Sequence, residues 1–326
     1  MLTNSSNLPD LADPRAPVLR GGVWSATPTP FTSDFQTDAG SVRRLVAHHL
    51  KMKVTGIMLG GTCGEGPWLR ERDREILART AVEAAQGGLR IAFQVTDNSS
   101  GRVLDNIEKA AAWGVEVAVV SSPYMFDNPT PERVLAHYRD VARNSPLPVG
   151  FYDRGEFSAN SVPESLLPEL LVEPNIAMVK DSSARESRRK LYLASRRVRS
   201  DLVLLSGDEF DCVRYIQAGY DGLLLGGGIF NASLAARIIQ AVRTGDLTEA
   251  ERLNARMKDL MWRVYGGQTI ECWLAGLKEL LVQMGIFSTR TGLLGYPLTE
   301  QCRAQIAAAV AGTDGLGYQA DLFETS

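Results

Sequence analysis

Short apolar runs alternate with longer amphipathic stretches along most of the chain. Eight of the runs have the continuous apolar character of buried strands, and turn residues bound them. They span residues 22–27, 56–60, 91–95, 116–120, 148–152, 176–180, 202–206 and 222–226. The stretches that follow them show helical spacing, over residues 40–53, 71–86, 101–113, 131–143, 163–172, 184–199, 209–218 and 231–243. This order predicts eight strand–helix repeats.

Eight such repeats predict an α/β fold, the (β/α)8 or TIM barrel, over residues 21–245. Apolar strands that alternate with helices form parallel sheets covered by those helices, and eight units close into a barrel. The alternative is an open doubly wound sheet, but no GxGxxG motif follows the first strand. Residues 246–310 lack strand patterns, and their sequence predicts about three helices packed on the barrel. We expect residues 1–20 to be a flexible N-terminal segment and residues 311–326 to be a tail.

Composition narrows the function classes. Of the 326 residues, 44% are hydrophobic, and the net charge of −3 excludes a large basic field for nucleic acid or an anionic membrane. No apolar run is long enough to span a bilayer, and the first twenty residues lack the apolar stretch of a signal peptide. The four cysteines form no CxxC pair, and only three histidines occur. We therefore expect a cytoplasmic protein with no disulfide scaffold, no metal site and no cofactor.

Lys180 is the strongest chemical candidate, because it closes an apolar strand at the barrel end where active sites lie. Partial desolvation favours the neutral form of an amine, which can attack a carbonyl group and form a Schiff base. The alternative is a structural ion pair with Asp181 or another carboxylate. The other six lysines lie in helical stretches beside polar neighbours, where solvated ammonium groups are ordinary: Lys51, Lys53, Lys109, Lys190, Lys258 and Lys278.

Three further strand ends carry candidates for the site. Tyr152 ends the fifth strand and can transfer protons near Lys180, although a plain rim aromatic is the alternative. The glycine-rich turn 60–66 follows the second strand and includes Gly61, Thr62 and Cys63. Its backbone N–H groups can bind a small carboxylate, unless it is only a tight connection. Gly226 opens a run of three glycines where many barrels bind phosphate, which indicates a phosphosugar alternative.

These motifs together resemble a known family. SATPTPF at strand 1, GGTCGEG after strand 2, SPY after strand 4, FYD at strand 5, VKDSS at strand 6 and LLSGDE at strand 7 occur in order. They are similar to motifs of the dihydrodipicolinate synthase / N-acetylneuraminate lyase family over residues 21–310. The resemblance implies a (β/α)8 barrel with a C-terminal helical extension and class I aldolase chemistry without a metal. It also implies a homotetramer built as a dimer of dimers.

The resemblance also implies roles for individual residues. Lys180 matches the lysine that forms the imine, and Tyr152 matches the tyrosine that acts as general acid and base. Thr62 and Cys63 match two hydroxyl residues whose backbone N–H groups hold the carboxylate of the 2-oxo acid. The thiol of Cys63 is a weaker donor than the hydroxyl found in the family pattern.

Two departures from the synthase pattern bear on the substrate. Family synthases carry an arginine for the aldehyde's carboxylate where Phe157 stands here in ungapped register, and Arg154 lies three residues earlier. They also carry a second tyrosine after the fourth strand, where Met125 follows Tyr124 here, so the relay tyrosine is missing.

The pair Asp208 and Glu209 resembles the lyase branch, in which such carboxylates accept hydroxyl groups of a sugar acid. The departures favour a carbon–carbon or carbon–oxygen lyase acting on pyruvate or 2-keto-3-deoxy sugar acids, as an aldolase or a dehydratase. The first alternative is dihydrodipicolinate synthase proper, which condenses pyruvate with aspartate semialdehyde, with Arg154 replacing the missing arginine. The second is a non-catalytic sensor that binds a 2-oxo acid or a phosphosugar.

Overall fold

The computed structural model describes residues 19–312 and contains a closed barrel of eight parallel strands. Each strand pairs with the next, and β1 pairs with β8. The strands are β1 Gly22–Ala26, β2 Gly56–Leu59, β3 Arg90–Gln94, β4 Val117–Val120, β5 Val149–Asp153, β6 Ile176–Asp181, β7 Val203–Ser206 and β8 Gly222–Leu225. The predicted (β/α)8 barrel is confirmed. The predictions for residues 1–18 and 313–326 lie outside the described residues.

Eight helices surround the barrel, one after each strand. They are α1 Ala39–Lys51, α2 Glu71–Ala85, α3 Ser100–Ala112, α4 Pro131–Asn144, α5 Leu167–Leu171, α6 Glu186–Arg196, α7 Cys212–Ala218 and α8 Gly228–Thr244. The helix predicted over 163–172 is broken into a 3-10 turn, Glu164–Leu166, and the short α5. Pro168 lies in the first turn of α5, the one place in a helix where its missing N–H costs nothing.

Three more helices follow the barrel, as the sequence predicted. They are α9 Leu247–Tyr265, α10 Trp273–Gln283 and α11 Glu300–Ala311. Helix α9 packs against α8 and α7, and α10 and α11 pack against α9 and each other. Among the helices within residues 19–312, none combines the length and apolar composition needed to cross a membrane.

Two apolar layers support the barrel, one outside the strands and one within. Side chains alternate along each strand, so every second residue faces the interior. The inner layer includes Trp24, Met58, Ala92, Val117, Val119, Met178, Leu205 and Leu224. Trp24 is fully buried, and a Cβ atom on Gly56 would lie 2.5 Å from its ring. Glycine at this position therefore lets the indole fill the barrel interior and leaves the opposite, carboxyl end of the strands open for a site.

Candidate active site

A cavity of about 240 Å³ opens at the carboxyl ends of the strands. It brings together every site residue that the sequence singled out, except Gly61 and Asp208. Its walls are formed by Thr62, Cys63, Tyr152, Arg154, Lys180, Ser182, Gly207, Glu209, Leu224, Gly226 and Trp273. Residues from five strand ends and from one helix of the C-terminal extension thus converge on one space.

Lys180 is 6% exposed and faces this cavity. Its Nζ lies 4.2 Å from the centre of the Tyr152 ring and 4.0 Å from the Sδ atom of Met58. Within residues 19–312 it forms no ion pair. The ion pair with Asp181 considered from the sequence is absent, because neighbouring residues of a strand point to opposite faces. The amine is thus held between an aromatic ring and a thioether, facing an open space.

Two buried aspartates lie directly behind the catalytic candidates, on the outer face of the barrel. Asp153 follows Tyr152 and accepts hydrogen bonds from the Arg188 guanidinium, at 2.8 Å, and from the Tyr192 hydroxyl. Asp181 follows Lys180 and accepts one from the Tyr220 hydroxyl at 2.7 Å. Burial raises the pKa of Asp181.

These contacts join β5 and β6 to the surrounding helices and fix both strand ends. Asp153 and Asp181 are paired in the strand register, as Tyr152 and Lys180 are. Because the side chains alternate, the aspartates anchor the outer face while the two candidates face the cavity.

Lys278 is a second buried lysine, and the prediction that it is solvated is wrong. It is 1% exposed, and its Nζ donates to the Oε2 atom of Glu65 at 2.5 Å and to the carbonyl of Thr291 at 2.8 Å. Burial lowers the pKa of Lys278, and the Glu65 carboxylate opposes that shift. Both contacts hold the Lys278 amine away from the cavity, whose wall does not include it. Of these two buried lysines, only Lys180 is therefore placed to act as a nucleophile.

Tyr152 lies between the amine and the glycine-rich turn. It is the register partner of Lys180 on the neighbouring strand. Its hydroxyl lies 3.5 Å from the Oγ1 atom of Thr62, and either group can donate. The phenol therefore reaches from the wall of the barrel toward the place where a substrate oxygen would lie between Lys180 and Thr62.

The turn after β2 offers two candidate backbone donors. Among the described residues, the N–H groups of Thr62 and Cys63 donate to no other residue, and Thr62 and Cys63 both line the cavity. Paired N–H groups of this kind bind carboxylates. Burial raises the pKa of the Cys63 thiol to about 12, so the thiol stays neutral beside them. Gly61 lies behind the wall, where its carbonyl accepts the N–H of Gly66 at 3.2 Å.

Glycine is required at the end of this turn. A Cβ atom on Gly66 would lie 1.7 Å from the carbonyl oxygen of Gly60. The chain can therefore fold back on itself here only because residue 66 has no side chain. The resulting tight turn keeps the N–H groups of Thr62 and Cys63 close together.

The pair Asp208 and Glu209 is divided by the structure. Glu209 lines the cavity, accepts a hydrogen bond from the N–H of Gly227, and accepts another from the Tyr265 hydroxyl at 3.2 Å. Burial raises the pKa of Glu209, and the Gly227 N–H and the charge of Lys180 oppose it. Asp208 instead accepts the N–H of Phe210 at 3.0 Å and is not part of the wall. The helix predicted from residue 209 begins only at Cys212, and the intervening turn separates the two carboxylates.

Arg154 also lines the cavity, directly after β5. It forms no ion pair with any carboxylate in the part of the chain that the structure describes. Phe157, at the position of the family arginine, is 70% exposed and lies outside the cavity wall. Arg154 is therefore the positively charged side chain of this segment that lies in the cavity wall.

Sequence reasoning missed four residues of the wall. Ser182 lies two residues after Lys180 on the same face of the strand end, so strand periodicity could have identified it. Gly207 follows β7 within the LLSGDE motif, and Leu224 lies in β8 two residues before Gly226. Trp273 begins α10 in the C-terminal extension, and no pattern in its own segment indicates that it reaches the barrel mouth.

Comparison with known proteins identifies relatives along the whole described chain. Residues 19–312 match the model of the dihydrodipicolinate synthetase family. The 4-hydroxy-tetrahydrodipicolinate synthase of Xanthomonas campestris pv. campestris is 30% identical over 293 residues, covering 89% of this chain and 94% of that protein. The enzyme of the same name from Porphyromonas gingivalis is 26% identical over 280 residues, covering 86% and 91%.

Solved structures share the fold. A monomeric dihydrodipicolinate synthase variant superposes with a TM-score of 0.82 at 21% identity, covering 92% of this chain and 98% of that chain. YagE, a prophage protein of E. coli K12 solved in complex with pyruvate, gives a TM-score of 0.78 at 21% identity, with 91% and 99% covered. The family match over nearly the whole chain and the 30% identical relative lead to one conclusion. The chain belongs to the dihydrodipicolinate synthetase family and is an enzyme of the lyase class.

Proposed function

We propose that this enzyme acts on pyruvate or a 2-keto-3-deoxy sugar acid through a Schiff base on Lys180. The observation that carries the proposal is the Lys180 amine, which is buried and without an ion pair in the described chain, and which faces the cavity 4.2 Å from the Tyr152 ring. An amine that faces an open cavity without an ion-pair partner is placed to attack a ketone. Homologues named as synthases and the pyruvate complex of YagE support the choice of a 2-oxo acid.

The reaction begins when the Lys180 nitrogen attacks the ketone carbon. The ketone oxygen takes one proton from the attacking nitrogen and a second from an acid, and then leaves as water to produce the imine. Tyr152 is placed to supply the second proton. The N–H groups of Thr62 and Cys63 hold the carboxylate next to the ketone and orient it for attack.

The imine group then accepts an electron pair from a bond to C3 of the same bound molecule. In an aldolase the C3–C4 bond breaks, its electron pair forms an enamine, and the C4 hydroxyl loses its proton to give an aldehyde. C3 of the enamine then takes a proton, which restores the imine. In a dehydratase a C3 proton is removed, and the C4 hydroxyl takes a proton and leaves as water. Glu209, which lines the cavity, is placed to accept a hydrogen bond from a substrate hydroxyl. Hydrolysis of the imine releases the product and restores Lys180.

Reduction with borohydride tests the proposal directly. Incubation with pyruvate and borohydride is expected to add one reduced pyruvyl group to the intact protein, and peptide mapping should place it on Lys180. If pyruvate gives no adduct, longer 2-keto-3-deoxy acids are tried in the same way. Binding of these acids without any adduct would overturn the Schiff base and favour the non-catalytic sensor.

The second candidate is the synthase reaction, in which the pyruvyl enamine attacks aspartate semialdehyde. The names of the relatives and the unpaired Arg154 on the cavity wall favour it. In that reaction Arg154 holds the carboxylate of the aldehyde by charge-assisted hydrogen bonds.

Replacing Arg154 with alanine separates the two candidates. If the substrate is aspartate semialdehyde, Arg154→Ala should raise its KM about 10- to 100-fold, because a charged hydrogen bond is lost. The KM for pyruvate should remain unchanged, since Thr62 and Cys63 hold its carboxylate. Steady-state rates with both substrates provide the measurement. Absence of synthase turnover in the unmodified enzyme would leave the sugar-acid reaction as the assignment.

We also propose a cytoplasmic homotetramer. Four buried free thiols, which a reducing compartment preserves, support the location: Cys63, Cys212, Cys272 and Cys302. The tetramer rests on the family resemblance, and one matching structure is described as a monomeric variant. Sedimentation equilibrium measures the state, and a monomer at working concentration would contradict the proposal.

A further inference from the structure

A buried ion pair joins the glycine-rich turn to the C-terminal extension. Glu65 lies two residues after Cys63 and is fully buried, and Lys278 in α10 is 1% exposed. Their charged atoms lie 2.5 Å apart. Glu65 is the one charged residue of the turn 60–66, so this ion pair is the charged contact between the turn and the extension among the residues described.

Glu65 is fixed at both its backbone and its side chain. Its φ of +55° places it in the left-handed region, which a residue with a side chain adopts at a cost. Its N–H donates to the carbonyl of Thr62 at 3.2 Å, which closes the turn. Its second carboxylate oxygen accepts the N–H of Leu293 at 2.6 Å. The side chain thus anchors an unfavourable backbone conformation that the turn requires.

Lys278 is fixed just as firmly. Besides Glu65, its ammonium group contacts the carbonyl of Thr291 and lies 4.6 Å from the centre of the Phe31 ring. Phe31 belongs to the loop after β1, so the pair ties together that loop, the turn after β2, helix α10 and the segment before α11. A small cavity of about 110 Å³ opens beside the pair, so close packing alone does not hold the turn there.

Burying two charges is expensive, and an apolar pair would often be at least as stable. A buried pair is therefore weak evidence for stability and better evidence for a fixed geometry. Here the geometry it fixes is that of the N–H groups of Thr62 and Cys63, three and two residues away. Glu65 and Lys278 themselves lie behind the catalytic cavity and do not line it.

We propose that Glu65 and Lys278 are positioning residues, which hold the Thr62–Cys63 turn in the shape that binds the substrate carboxylate. The inference rests on the proposed function for the identity of that ligand. It assigns to the C-terminal extension a part in substrate affinity, although Lys278 touches no substrate.

Lys278→Met tests the inference, because it keeps the length of the side chain and removes its charge. We expect the pyruvate concentration for half-maximal borohydride trapping to rise about tenfold or more, since small displacements of orienting groups have large effects. The trapping rate at saturating pyruvate should change less than about threefold, because Lys180 and Tyr152 are untouched. Hydrogen exchange in residues 60–66 should accelerate about tenfold, because the anchored turn opens more often.

Glu173→Gln is the matched control. Glu173 is also buried and pairs with Arg143 at 2.7 Å, but it precedes β6 and lies at the opposite end of the barrel. The Glu173→Gln substitution should lower the melting temperature without changing the half-saturating pyruvate concentration or hydrogen exchange in residues 60–66. If Lys278→Met does not fold, Glu65→Gln/Lys278→Met removes both charges and serves instead.

The outcomes separate this inference from the proposed function. Unchanged half-saturation in the Lys278 variant overturns the inference, whatever the exchange shows. If the unmodified enzyme traps no 2-oxo acid, the proposed function is wrong, and turn exchange alone then decides whether the pair holds the turn. If the Lys278 and Glu173 variants changed pyruvate half-saturation and turn exchange equally, the Glu65–Lys278 pair would have only a structural role. That result would overturn the inference that the pair positions the turn.

Discussion

Lys180→Ala is expected to abolish the borohydride adduct and to lower turnover about 10⁴-fold or more, since the covalent intermediate cannot form. The variant should stay folded, because Lys180 has no ion-pair partner in the described chain whose charge would be left uncompensated. Intact mass after reduction and a thermal melt are the two measurements.

Lys190→Ala is the matched control for this experiment. Lys190 is exposed on α6, where it pairs with Glu186 one helical turn away. It should retain full trapping and turnover. A pyruvyl adduct that persists in Lys180→Ala and maps to another lysine would show that Lys180 is not the nucleophile. Lys278, the other buried lysine described here, is the residue to inspect first.

Tyr152→Phe is expected to lower kcat about 10²- to 10⁴-fold, the usual contribution of a general acid or base. The ring beside the Lys180 amine is kept, and only the hydroxyl near Thr62 is lost. Imine formation and the later proton transfer should both slow, while the half-saturating pyruvate concentration changes little. Rapid-quench trapping separates the two steps.

Stability should scarcely change in this variant, since within residues 19–312 the hydroxyl makes one long contact, of 3.5 Å. Thr62→Val provides the control for the other hydroxyl, because it removes the Oγ1 atom and keeps the backbone N–H. An undiminished kcat in Tyr152→Phe, with a large loss in Thr62→Val, would transfer the acid–base role to Thr62.

The barrel was predictable because its strands have a local pattern. Each strand is a short apolar run whose neighbours are set by chain order, so the closed sheet follows from the alternation of strands and helices. Lys180, Tyr152 and the turn at Thr62 were predictable for the same reason, since strand ends of a parallel barrel meet on one face. The motifs at those strand ends also resemble those of one known family, which narrowed the candidate reactions further.

The remaining parts of the site depend on contacts between segments far apart in sequence. Lys278 is buried only because α10 packs over the turn after β2, so its polar neighbours in sequence gave the wrong expectation. Trp273 reaches the cavity, and Tyr265 reaches Glu209, from the same extension. Asp208 and Glu209 diverge because a turn replaces the expected start of a helix. Such placements are decided by packing and not by periodicity.

Helix α10 contacts both the cavity and the turn behind it. Trp273 forms part of the cavity wall, and Lys278, further along the same helix, pairs with Glu65 of the glycine-rich turn. A redesign that transplants only the eight strand ends onto another scaffold would therefore lose an aromatic wall and the buried ion pair of that turn together. Recombination between relatives should keep residues 56–68 and 273–293 from the same parent, because the two stretches have to match as a single unit.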